Sequence, residues 1–166
     1  VLEASKAATG NIKVELARTD AVELLGQCLA EYEERFQRAG LVVVMQTPGG
    51  SASILADGRL LWRVFDNLLG NIAKYGQPGT RVYAGVTQEG ADVAIALKNV
   101  SRDPLNISEE ELMERFVRGD SARTSEGSGL GLSIARSLTE LQGGRFGISI
   151  DCDLFKAELR FAAAEG

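Results

Sequence analysis

Histidine is absent from the 166 residues. That removes Ser-His-Asp triads, Cys-His pairs and most zinc sites at once. Carboxylates, amides, lysines, backbone N–H groups or a bound metal nucleotide are left to carry any chemistry. Cysteine is nearly absent. Cys28 and Cys152 are too few for a disulfide framework and have no metal-ligand spacing, which points to two free thiols in a reducing compartment. Long apolar runs are missing too. The longest, such as Leu41 to Met45, fall far short of the roughly 20 residues of a membrane span. No signal-peptide pattern opens the chain, and a start on Val1 reads as a piece of something larger. Nor is there an excess of basic charge. The 18 basic and 23 acidic residues give a net charge of −5, which argues against nucleic acid or an anionic membrane as the main partner.

What is present is 45% hydrophobic and 25% charged, the composition of one soluble globular domain with a real core. Val1 to Gly10 reads as the end of a helix with Gly10 as its C-cap. Alternation of Ile12, Val14 and Leu16 predicts a strand. Thr19 and Asp20 can cap a helix carrying Val22, Leu24, Leu25, Cys28, Leu29, Tyr32 and Phe36, stopped by Gly40. LVVVMQ predicts a β-branched strand, and Ile54 to Ala56 a short one. Asp57 caps a second helix running to Tyr75 and closed by Gly76. RVYAGVTQ and ADVAIALKN are alternating strands joined by a turn at Glu89-Gly90. Residues 100–128 show no clear period apart from a short helix near Glu109 to Phe116, and a connection that long is usually functional or mobile. Leu130 to Leu141 predicts a third helix, and two strands follow near Arg145 to Ile150 and Phe155 to Phe161. The fold class expected is α+β, a two-layer α/β sandwich with a mixed, mostly antiparallel sheet and helices on one face.

Two segments carry polar or glycine residues in unusual places. In WRVFDNLLGNIAKYG, at about 100° per residue, Leu61, Val64, Phe65, Leu68, Leu69 and Ile72 form one apolar face. Asn67, Asn71 and Lys74, spaced i, i+4, i+7, lie on the strip beside it, with Arg63 and Gly70 further toward solvent. An amide oxygen is a neutral, hard ligand suited to Mg²⁺, and a lysine one turn on can meet phosphate as a point charge. Taken alone, the segment also fits an exposed helix with two unremarkable asparagines. The second segment is GSGLGLS, Gly127 to Ser133, opening into a helix. Gly127, Gly129 and Gly131 let backbone approach an anion closely, and a helix N-terminus offers free N–H groups and a positive dipole end. Alone it fits a flexible hinge as well. There is no GKS or GKT, and no strand–GxGxxG–helix unit, so neither a P-loop nor a Rossmann fingerprint is present.

Together and in this order, the two segments resemble the ATP-binding catalytic domain of bacterial sensor histidine kinases, the Bergerat-type fold shared with gyrase, Hsp90 and MutL. DNLLGNIAKYG resembles the N box, ERFVRGD (Glu114 to Asp120) the F box, and GSGLGLSIAR the second glycine box. The resemblance covers residues 12–161. It implies ATP and Mg²⁺ as cofactors, with Asn71 as the Mg²⁺ ligand and Lys74 on phosphate. Tyr75 would lie against adenine or ribose. Gly127, Gly129, Leu130, Gly131 and Leu132 would cradle the phosphates, and Arg118 would reach a phosphate or the partner domain. Leu97, Ile107 and Phe116 would line the base pocket or anchor the lid. Asn67 occupies the position of the glutamate base of gyrase-type members. An amide cannot take a proton from water, which suits a kinase rather than a hydrolase.

One departure stands out. The family's first glycine box, Asp-x-Gly-x-Gly, is here Asn99-Val100-Ser101-Arg102-Asp103. Asn99 keeps an acceptor for the adenine amino group but loses the charge, about 1–2 kcal/mol or 5- to 30-fold in affinity. Without the glycines, the start of the lid is expected to be stiffer. The resemblance further implies a domain at residues 12–166 with a lid at about 100–128. Residues 1–11 would be a linker or the end of a preceding dimerisation and phosphoacceptor helix. The partners implied are that domain and a downstream response regulator, with no nucleic acid and no direct membrane contact. The fragment would be a cytoplasmic monomer from a homodimeric parent, in a family that often carries membrane-spanning sensor regions. A nucleotide-degenerate interaction module is a second reading, favoured by Asn99 and Ser101. A Bergerat-fold ATPase or anti-sigma-type serine kinase is a third, opposed by Asn67.

Overall fold

A computed structural model describes residues 12–103 and 128–164, the first four of the latter as backbone only. The elements run β1 (Ala17–Asp20), α1 (Ala21–Glu31), α2 (Glu33–Arg38), β2 (Val42–Gln46), β3 (Ser53–Ala56), α3 (Gly58–Tyr75), β4 (Arg81–Glu89), β5 (Asp92–Val100), α4 (Ser128–Leu141), β6 (Arg145–Asp151) and β7 (Leu154–Ala162). The main sheet has the order β2-β4-β5-β7-β6. β2 and β4 are parallel and the remaining pairs antiparallel. A separate two-stranded sheet joins β1 to β3. This is the α+β arrangement expected from the pattern.

Strand alternation decides which face is covered. Val82, Ala84 and Val86 of β4, Val93, Ile95 and Leu97 of β5, and Ala157, Leu159 and Phe161 of β7 are all buried. They form one core with the apolar stripe of α3. That stripe is the one read from the sequence, Leu61, Val64, Phe65, Leu68, Leu69 and Ile72, with Leu60 added. No described helix is long and apolar enough to cross a membrane.

Several local expectations shift. The strand drawn through Ile12, Val14 and Leu16 begins later, at Ala17, because β3 pairs with residues 17–20. Glu15 instead donates its N–H to the Asp57 carboxylate at 3.0 Å, outside any ladder. Asp20 alone caps α1, accepting from Val22 and Glu23, while the Thr19 hydroxyl bonds the carbonyls of Ala17 and Ala56. The long first helix is divided at Tyr32 into α1 and α2. Gly40, at φ +75°, ends it as predicted. Gly70 is not turned to solvent: a Cβ there would lie 3.4 Å from the Tyr32 hydroxyl. The hairpin turn is Gly90-Ala91, since Glu89 still pairs with Asp92, and Gly90 takes the positive φ that a two-residue turn needs. The third helix starts two residues early, at Ser128. The segment Val1 to Gly10 and the short helix near Glu109 to Phe116 lie outside the described residues.

Candidate functional site

The site is built on the C-terminal half of α3. Asp57 starts this helix: its carboxylate accepts from the N–H groups of Arg59 at 3.0 Å and Leu60 at 3.4 Å. Gly76 ends it for want of space rather than for a left-handed turn. At φ −70°, a Cβ would sit 2.8 Å from the Ile72 carbonyl oxygen and 3.0 Å from Leu41. Between these ends, Asn67, Asn71, Lys74 and Tyr75 are half-buried on the edge of the apolar stripe. Lys74 Nζ is shielded from solvent and lies 5.8 Å from the Tyr75 ring centroid. The one carboxylate amid this strip, Asp66, is engaged elsewhere. It accepts from the Tyr32 hydroxyl of α1 at 2.6 Å.

The end of β5 is stitched to the end of α3. Gln77 N–H donates to the Val100 carbonyl at 2.8 Å, Arg102 N–H donates to the Tyr75 carbonyl at 2.8 Å, and Gly76 forms a bridge with Ser101. Ser101 N–H also donates to the Asp153 carbonyl in the β6–β7 turn at 2.7 Å. The Asp103 N–H donates to Ser101 Oγ at 3.3 Å. A run without glycine is thus held as an extension of the strand. Asn99 is the last inward position of β5, after Ile95 and Leu97, and is buried.

The third part is the start of α4. At the far end of the helix pair, the Asp57 N–H donates to Gln142 Oε1, just beyond the C-terminus of α4, at 2.9 Å. The packed helices therefore run antiparallel. Counting back from Gln142 to Ser128 crosses as many residues as counting on from Asp57 to Asn71. Equal rise per residue then sets the first turn of α4 level with Asn71. Gly129, Leu130 and Gly131 lie in that first turn, as helix rather than as a loop before it. Leu132 follows, buried. Gly127, Arg118, Ile107 and Phe116 lie outside the described residues.

Asn67, Asn71, Lys74, Tyr75, Leu97, Asn99, Ser101 and Leu132 are therefore placed on three elements whose ends meet. Two amides and an ammonium lie on one strip of α3, with the free N–H groups of the first turn of α4 level with Asn71. That donor set suits a polyanion accompanied by a hard divalent cation. Among the described residues no group of three or more acidic, Cys or His side chains could hold a metal. The cysteines take no part. Burial, with the Asp66 and Glu31 carboxylates nearby, pushes the Cys28 thiol up to about 12, and Cys152 is exposed in the β6–β7 turn.

The model of the histidine kinase-, DNA gyrase B- and HSP90-like ATPases matches residues 56–160. The chain belongs to this ATPase family. Its curated relatives place it with the catalytic domains of sensor histidine kinases. It is 32% identical over 143 residues to the sensor protein CzcS of Cupriavidus metallidurans, covering 84% of this chain and 29% of that protein. It is 29% identical over 155 residues to the signal transduction histidine-protein kinase BaeS of Escherichia coli, covering 87% of this chain and 33% of that one. The chain thus spans about a third of the length of these relatives. Full-length ShkA, solved in complex with AMPPNP, shares the fold with a TM-score of 0.75 at 24% identity, over 93% of this chain and 33% of that one. Within the ATPase family, the matched span contains the whole of α3, the end of β5 and α4, the three elements that carry the site.

Sequence reasoning missed the tie between Asp57 and Gln142 that orients α4. A glutamine at a helix end carries no signal of its own, and the two residues are 85 positions apart.

Proposed function

We propose that this domain binds Mg-ATP at the meeting of α3, β5 and α4 and presents the γ-phosphate to a histidine on a neighbouring dimerisation and phosphoacceptor domain. The observation that carries the reading is the convergence of Asn71 and Lys74 with the start of α4, beside the buried Asn99. Lys74 would neutralise phosphate charge, and the N–H groups of Gly129, Leu130, Gly131 and Leu132, with Gly127 before them, would hold phosphate oxygens. Asn71 would hold Mg²⁺ through its amide oxygen, and the ion when bound supplies charge neutralisation across the phosphates. Tyr75 would lie against the base or ribose, with Leu97 beneath and Ser101 at the start of the lid. Arg118 would reach a phosphate or the partner domain. Asn67 cannot deprotonate water, so the site would keep ATP for transfer. In that transfer an imidazole nitrogen of the partner bonds to the γ-phosphorus as its bond to the ADP oxygen breaks. The chain has no histidine, so the acceptor must come from outside it.

This reading takes residues 12–166 as the catalytic domain with a lid over about 100–128, and residues 1–11 as the linker from the phosphoacceptor helix. The domain would be a cytoplasmic monomer within a homodimeric parent that passes phosphate to a response regulator. Titration calorimetry with Mg-ATP on this chain and on Asn71→Ala tests it. Binding that the variant loses is the expected result. Folded protein with no heat up to millimolar nucleotide would sink the proposal and leave a nucleotide-degenerate scaffold, the reading that the glycine-free run Asn99 to Asp103 favours.

A further inference from the structure

The core lies on one face of the main sheet, and most positions of the other face are exposed or half-buried. Register fixes what stands on that outer face. Lys98 of β5 is directly opposite Lys156 of β7, with Tyr83 of β4 and Ser149 of β6 at the ends of the row. Further along the strands, Arg160 of β7 is directly opposite Arg145 of β6. Like charges so placed repel and cost stability. The two pairs are answered differently. Asp92 lies 3.1 Å from Arg145 and 3.9 Å from Arg160, and so bridges them. Glu89 and Glu158 add contacts to Arg160 at 2.7 and 3.2 Å. The lysine pair has Glu158 alone, 3.6 Å from Lys156 and shared with Arg160. Among the described residues no carboxylate pairs with Lys98, and Asp151, on the same face of β6, pairs with neither lysine.

We propose that Lys98 and Lys156 form a docking point for an acidic segment of a partner protein laid against the open face of the sheet. A carboxylate set between the two ammoniums would turn repulsion into attraction, as Asp92 does for the arginine pair. The next row holds Gly85, Ala96 and Gly147. Their small side chains leave room for a polypeptide backbone beside the lysines. A flat face offers a small anion no enclosure. A broad polyanion, such as nucleic acid or an anionic membrane, would meet the rest of a chain of net charge −5 with repulsion. A local acidic patch on a protein satisfies both limits. The lysines stand on the sheet face opposite the buried Asn99, so this surface is separate from the nucleotide-binding reading.

The experiment is an NMR titration of the chain with hexaglutamate at low salt, repeated on Lys98→Gln/Lys156→Gln. Shift changes should centre on Tyr83, Lys98, Lys156 and Ser149. Affinity should fall about 2- to 30-fold in the double variant, the worth of two exposed ion pairs. Without peptide, Lys98→Gln should raise the melting temperature by about 1 to 4 °C, because it relieves the repulsion. Absent shift changes, or changes centred on Lys74 and the start of α4 or on Arg59 and Arg63, would overturn the proposal. An affinity that the double variant keeps would do the same. So would a melting temperature lowered by Lys98→Gln, which would make the pair part of the framework. Lysine-dependent co-sedimentation with phosphatidylserine vesicles, in place of peptide binding, would assign the face to a membrane and overturn it too. If the double variant does not fold, the position of the shift changes in the native chain still decides. None of these outcomes bears on Mg-ATP binding.

Discussion

The α3–α4 helix pair has two unlike ends. At the end holding the start of α3, the buried polar groups answer one another. The Asp57 carboxylate accepts from Glu15, Arg59 and Leu60 N–H groups and from the Arg59 guanidinium at 3.2 Å, while its own N–H goes to Gln142. At the other end, Asn67 and Asn71 sit half-exposed on a helix that gains nothing from asparagine, and the Asn99 amide donates only to the neighbouring Val100 carbonyl. The first end is built to hold the helices in register. The second carries polar side chains that neither cap nor tie the helices, as binding sites do. Substitutions should therefore separate stability from binding according to the end they touch.

The sharpest break is Asn71→Ala. Mg-ATP affinity should fall by at least about 100-fold, or about 2.7 kcal/mol. Thermal stability should hold or rise slightly, because alanine is the better helix former. A variant that loses binding and melting temperature together would put Asn71 in the framework instead. Asp57→Ala should do the opposite. Removing a buried acceptor of several donors should cost about 2 to 3 kcal/mol of stability, measured by urea denaturation. The folded fraction should bind nucleotide within a few-fold of the native chain.

The two ends were also unequally legible in the sequence. The binding strip could be read because it is local. A 3.6-residue period fixes which positions of α3 are buried, so Asn67, Asn71 and Lys74 stand out beside the stripe, and Asp57 and Gly76 mark its ends. The hairpin and the last two strands follow from alternation for the same reason. What escaped depends on packing between distant segments. The break at Tyr32 goes with a hydroxyl bonded to Asp66 of α3, and Gly70 is half-buried because that same hydroxyl lies over it. β1 is placed by its register with β3 rather than by its own alternation. The orientation of the Asn99 amide depends on a carbonyl that no residue type announces.

Gln142→Ala probes the framework end more gently. It leaves the carboxylate cap intact but strands the buried Asp57 N–H, for about 1 to 2 kcal/mol. Because Gln142 ties α4 to α3, hydrogen exchange in α4 should quicken more than in α3 or the sheet. Uniform quickening would mean that the tie stabilises the whole domain without setting the register of α4.

The smallest effect should come from acid. Burial alone would push the Asp57 carboxyl up, but the N–H groups of Glu15 and Leu60 and the hydrogen bond and charge of Arg59 outweigh it and hold the group below its usual range. A carboxyl whose pKa is lower folded than unfolded binds more protons in the unfolded chain. Its contribution is therefore complete above about pH 4, the unfolded value, and is lost as pH falls through the folded value. Protonation costs less than truncation because the oxygens stay in place to accept. Only the charge-assisted part of each bond is lost. Urea midpoints taken downward from pH 5 should fall for the native chain and fall less steeply for Asp57→Asn, which starts lower. Parallel slopes would show that acid acts on other carboxylates and that the framework end owes its strength to geometry rather than to charge.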